Sequence, residues 1–107
     1  MAVAKFDVYE NPQPASRDSV PYVVDVQSAL IDQLPSRLVM PLSRTGAGQG
    51  RWPPNLCPVF EIAGESLALV PHLAAPVAAR LLRHPVASVS HRASDISAAM
   101  DAVLSGF

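Results

Sequence analysis

Residues 21–27 read PYVVDVQ, and in this stretch Tyr22, Val24 and Val26 fall on one face while Val23, Asp25 and Gln27 fall on the other. That is the period of two that a β-strand imposes on its side chains. Asp25 and Gln27 are expected to form a solvated or edge-facing polar row, one that stabilises the fold or a partner complex rather than transferring protons. Toward the N-terminus, Phe6 and Val8 alternate with Asp7 and Tyr9 as a first strand would, and residues 11–18, with Pro12 and Pro14, read as a loop. Toward the C-terminus, Leu38, Met40 and Leu42 share a face with Arg37 and Val39 opposite. Pro41 predicts that this strand lies at a sheet edge or ends there, because proline cannot donate to a ladder.

Farther along, residues 43–55 carry Gly46, Gly48 and Gly50 followed by Arg51-Trp52-Pro53-Pro54, which cannot hold a regular ladder and predicts an exposed, mobile excursion. Residues 58–63 and 67–70 flank Gly64-Glu65 as the two arms of a hairpin. Residues 86–89 make one more strand. Ile96, Met100, Val103, Leu104 and Phe107 recur at spacings that stack them on one stripe of a helix. Ser90 is placed to cap that helix and Asp95 to favour its positive end. The fold class expected is α+β, mainly β: an antiparallel sheet or barrel closed by a C-terminal amphipathic helix.

The 107 residues fit one domain, 1–107, large enough for a modest independent core. Half of them are hydrophobic and only 16% are charged, so few polar side chains are left to cover the surface, and a homodimer is expected. A net charge of −1 gives no electrostatic footprint for direct binding to nucleic acid. Cys57 is the sole cysteine, which excludes an intrachain disulfide and suggests a reducing compartment. The first residues have neither a basic leader nor an apolar run, and no stretch is long enough to span a bilayer. The expectation is a cytoplasmic protein with no membrane association.

The motifs that could carry chemistry are weak. Gly46-Ala-Gly48-Gln-Gly50 is rich in glycine, as a phosphate-binding loop is. It lacks the Gly-Lys-Ser/Thr ending, has Arg51 where a third glycine would stand, and runs into Trp-Pro-Pro rather than a helix. His72, His84, His91 and Cys57 match no compact ligand spacing, so no metal and no cofactor is expected. Ser90, His91 and Asp95 lie close in sequence, but Ser90 is more economically a helix cap than a nucleophile. No catalytic residue is assigned. Leu30 and Ile31, set among Ser28, Asp32 and Gln33, suit core burial or a contact surface equally well.

Val24-Asp25-Val26-Gln27-Ser28, Leu30-Ile31-Asp32 and RLVMPL at residues 37–42 stand in a particular order with Ser90-His91-Arg92 and Leu104-Ser105-Gly106-Phe107. Together with Phe6-Asp7-Val8-Tyr9, Leu56-Cys57-Pro58-Val59, Glu61-Ile62 and Gly64-Glu65-Ser66, they make the chain resemble the CcdB family of gyrase-poisoning toxins over nearly its whole length. The resemblance implies an SH3-like sheet with a long C-terminal helix. It also favours a short strand within residues 71–85, where Ala78-Ala79-Arg80-Leu81-Leu82 would by propensity be helical.

It further implies a homodimer without catalytic residues that binds the DNA gyrase A subunit and traps the enzyme with DNA cleaved. The partner implied is a CcdA-like antitoxin, and DNA is bound only through the antitoxin complex, for autoregulation of transcription. Carried over residue by residue, the gyrase-binding set is Leu30, Ile31, Asp101, Ser105, Gly106 and Phe107. Leu30 and Phe107 keep the apolar character of the family's isoleucines. Asp101 replaces an asparagine, and Ser105 replaces a tryptophan whose burial at an interface is worth roughly 2 kcal/mol or more. That loss opens a second reading, a degenerate relative that binds antitoxin without poisoning gyrase. A third is a MazF-like endoribonuclease, since those toxins share the fold, but the acidic balance and the sequence match argue against it.

Overall fold

The computed structural model describes residues 5–27, 34–44 and 57–105, without the side chain of Ser105. The chain forms β1 (Asp7–Glu10), β2 (Tyr22–Asp25), β3 (Ser36–Arg44), β4 (Val59–Ile62), β5 (Glu65–Leu69), β6 (Ala75–Ala78), β7 (Ala87–Ser88) and α1 (Ala93–Ser105). All pairings are antiparallel, in the order β4-β5-β3-β2-β1-β7, with β6 also on β3. The result is a nearly closed, barrel-like sheet with one C-terminal helix, the α+β, mainly β architecture read from the alternation. The glycine-rich excursion expected at residues 43–55 lies outside the described residues from 45 onward, and its first two positions extend β3.

The even-numbered faces expected of β2 and β3 do form the core. Val24, Met40 and Leu42 are fully buried with Val8, Leu67, Leu69 and Phe60, and α1 covers them through Ile96. The helix meets the sheet through Ile96 and Ala99, with Met100 and Val103 half-buried. Leu104 departs from the predicted stripe and is 76% exposed. It lies one position past Val103, so the rotation of about 100° per residue carries it off the buried face.

Several local expectations change. Asp25 and Gln27 do not form a solvated row: both are buried. Their face is roofed by a second apolar cluster of Tyr9, Val23, Val39 and Leu82, with Val77 against it. β3 is not an edge strand either. It pairs with β2 on one side, and on the other with β6 through Val39↔Ala75 and with β5 from Leu42↔Leu69. Pro41 sits where one neighbour hands over to the next. The Val26 N–H to Leu38 O bond (2.9 Å) shows that even-numbered β3 residues turn their main chain toward β2. Pro41 therefore directs its missing donor into the gap, and its carbonyl still accepts from Val70 N at 3.0 Å.

The strand expected within residues 71–85 is β6; residues Ala79–Leu81, part of the helix-prone run, form a single 3-10 turn. Ser90 does not cap α1. It opens a 3-10 turn, Ser90–Arg92, and its own N–H is taken by Ser88 Oγ at 3.3 Å. The β4–β5 hairpin turns through Ala63 and Gly64, with φ of 53° and 81°. Two successive left-handed residues make the turn type whose twist matches paired strands.

Candidate interaction surface

The charges placed on the second face of the sheet meet one another. Arg37 Nε bonds Asp25 Oδ2 at 2.8 Å, and Arg37 Nη2 bonds Asp25 Oδ1 at 3.1 Å, a fork-shaped pair that is 2% or less exposed. Gln27 completes the group: its N–H donates to Asp25 Oδ1 at 3.0 Å, its carbonyl accepts from Arg37 Nη2 at 3.3 Å, and its Oε1 accepts from Leu38 N at 2.9 Å. Bidentate geometry fixes both side chains, and the low local dielectric strengthens each bond. With both charges balanced and sealed from water, the cluster is built for holding shape rather than for moving protons. Sequence reading missed Arg37 as the partner of Asp25. The available signal was parity, since both charges fall on the faces of neighbouring strands that turn away from the main core.

On the main core side, a groove of about 170 Å³ opens between the sheet and α1. Val26 and Leu38 line it from the strands and Ile96 and Met100 from the helix, with Lys5 and Asp101 as charged lining. Val26 and Leu38 are bonded to each other and bracket residues 28–33. The groove thus joins the second half of α1 to the base of the connection that carries Leu30 and Ile31. Asp101 is exposed. Leu30, Ile31, Gly106 and Phe107 lie outside the described residues, as does the side chain of Ser105, whose backbone ends α1. Of the six residues singled out in the sequence, the described structure gives a side-chain position to Asp101 alone.

A second hollow, about 200 Å³, lies on the opposite face of β2, β3 and β6, against Val23, Val39, Pro41, Pro76 and Val77. Its polar lining is Asn11, Gln13 and Ser16; Asn11 is buried and organises the β1–β2 loop by donating to Ser16 Oγ at 2.9 Å and to the Val20 carbonyl at 2.8 Å. Among the described residues its lining carries no ionisable side chain.

The Ser90, His91 and Asp95 grouping does not assemble into a triad. Ser90 Oγ accepts from Ser88 Oγ at 3.2 Å, and the Asp95 carboxylate is held by Arg92 Nε at 2.9 Å rather than by His91. Among the described residues, no three His, Cys, Asp or Glu side chains come together as metal ligands. Cys57 is buried, and burial pushes its thiol pKa up, away from the reactive thiolate. Arg92 also stacks on the Phe60 ring at 4.0 Å and donates to the Val59 carbonyl at 2.6 Å, so the start of α1 is tied to β4.

Among the described residues, no helix is long and apolar enough to cross a membrane. A family described as CcdB protein matches residues 5–106 of the chain. No curated protein matches it.

Proposed function

The chain belongs to the CcdB family, whose members are toxins of toxin–antitoxin systems, of the gyrase-poisoning type, acting as protein inhibitors rather than enzymes. From that premise we propose that it works in the cytoplasm as a homodimer that binds the DNA gyrase A subunit and traps the gyrase–DNA cleavage complex. A CcdA-like antitoxin neutralises it, and DNA is bound only through that complex. The contact set is Leu30, Ile31, Asp101, Ser105, Gly106 and Phe107. The observation that carries this reading is the groove in which Asp101 of α1 meets Val26 and Leu38, the bonded residues bracketing the Leu30-Ile31 connection. Apolar side chains left exposed beyond it, Leu34 and Leu104 among them, supply surface for a second subunit.

Ser105 favours a second reading, an antitoxin-binding protein that poisons gyrase weakly. A serine hydroxyl offers neither the area nor the ring face that makes an interfacial tryptophan a hot spot. A cleavage assay on supercoiled plasmid with gyrase from the same host decides between the two. Accumulated linear DNA supports the poison, whereas a folded dimer that leaves plasmid uncut supports the weaker binder. Ser105→Trp is expected to tighten gyrase binding by about 2 kcal/mol, roughly thirtyfold. A variant no better than the parent would remove Ser105 as the explanation.

A further inference from the structure

We propose that the hollow on the second face of the sheet, together with the turn that borders it at Arg80 and Arg83, is a docking surface for an acidic, extended peptide segment of a partner protein. It lies across the sheet from the groove beside Asp101 and uses none of the residues assigned to gyrase binding. The inference therefore goes beyond the proposed function and is tested without gyrase.

No acidic residue stands between Glu65 and Asp95, a stretch that carries Arg80, Arg83 and Arg92. Arg17, Arg37, Arg44 and Arg92 are each bonded to a carboxylate, whereas Arg80 and Arg83 have no carboxylate partner among the described residues, and both are exposed. Their neighbour Leu82 ties them to the hollow. It packs with Tyr9, Val23 and Val39, with Val77 against them, and Val23, Val39 and Val77 are also part of the hollow's lining. Arg80 precedes that anchor by two residues and Arg83 follows it by one, so two unmatched guanidiniums stand at the border of an uncharged, mostly apolar recess. Leu73, on the lining, and Leu81, between the arginines, are 57% and 45% exposed and add apolar surface.

The main chain beside the hollow suits a peptide. Leu38 turns its carbonyl to Val26 of the neighbouring segment, so its flanking residues Arg37 and Val39 turn theirs to β6, where they pair with Val77 and Ala75. On β6 the alternate groups, the Pro76 carbonyl and the Ala78 N–H, consequently point away from β3, and Ala75 and Pro76 are exposed. An extended chain laid along that edge meets one main-chain acceptor and one donor, while the recess takes an apolar side chain. Arginine grips carboxylates with two parallel bonds, which matches acidic residues on the incoming segment. A nucleic acid fits less well, because its affinity grows with the number of phosphates neutralised and two guanidiniums neutralise few.

The test titrates a short fluorescein-labelled peptide of alternating Glu and Leu against the full chain and follows anisotropy. The parent is expected to bind it. Arg80→Glu and Arg83→Glu together are expected to weaken binding by about tenfold or more at an unchanged thermal midpoint, since both positions are exposed. Ala75→Trp, which puts a bulky ring on the lining of the hollow, is expected to weaken it by about tenfold. The same peptide with Gln for Glu is expected to bind about tenfold more weakly, and a short single-stranded oligothymidylate is expected not to compete. No binding by the parent, unchanged binding by either folded variant, equal binding of the Gln peptide, or displacement by the oligonucleotide overturns the proposal. Should Ala75→Trp fail to fold, Leu73→Ser at the exposed edge of the hollow is judged by the same titration.

Discussion

Ala63 carries a conformation that its side chain disfavours. With φ at 53° it sits in the left-handed region beside Gly64, at the first central position of a two-residue hairpin turn. A β-carbon there costs on the order of 1 kcal/mol, and Asn-Gly is the pair such turns prefer. Ala63→Asn is therefore expected to stabilise the protein by about 0.5–1 kcal/mol, read as a higher urea midpoint at unchanged slope. Phe6 shares the positive φ, at 71°, but is held there from three sides: its N–H bonds the Asp25 carbonyl, its carbonyl accepts from Val89 N, and its ring packs on the main core. Cys57 gives a pH dependence of definite sign. Burial raises its pKa above the ordinary 9.0, so the folded state binds the thiol proton more tightly than the unfolded chain. That contribution is complete below the ordinary value and is lost as pH rises past it through the raised one. Cys57→Ala should flatten the alkaline limb of a stability–pH profile, and an unaltered limb would show that other groups cause it.

Among the elements, α1 depends on one arginine for its attachment at the start. Arg92 stacks on Phe60, bonds the Val59 carbonyl and pairs with Asp95, so a single side chain joins helix to β4 by three kinds of contact. Arg92→Ala is expected to cost about 1–2 kcal/mol in a thermal melt. Arg92→Lys should recover only part, for want of a planar face to stack. Asp95→Ala should cost about 0.5 kcal/mol or less, since that carboxylate is half exposed. A melt in which Asp95→Ala matched Arg92→Ala would show that the ion pair, not the stack, does the tying. A period in the sequence locates an element but carries no information on what surrounds it. Alternation located β2, β3 and the hairpin. It could not say that β3 has neighbours on both sides, because Pro41 looks like an edge residue until the gap between β5 and β6 is seen to receive its missing donor.

For the molecule as a whole, the same limit explains what was legible of the site. Periodicity states which side chains share a face but not whether that face is wet. Alternation predicts a solvated or edge-facing row for Asp25 and Gln27, yet Leu82, from a segment far along the chain, folds over their side of the sheet. The family resemblance supplied a contact set that composition could not, and of that set the described residues position the Asp101 side chain beside the groove. The sheet order carries one further consequence. β1 is paired on one flank by β7, Asp7 opposite Ser88, and the start of β3 is paired by β6, Ser36 opposite Ala78. The first ladder joins residues 81 positions apart, most of the polypeptide, and the second joins residues 42 apart, and contacts of such separation form late and slowly. During synthesis the first strand therefore waits, half-paired, for almost the last. A growing chain that still lacks residues 87–88 lacks the finished barrel, so a harmful surface that depends on it comes into being only once those residues are made, when a waiting antitoxin meets it.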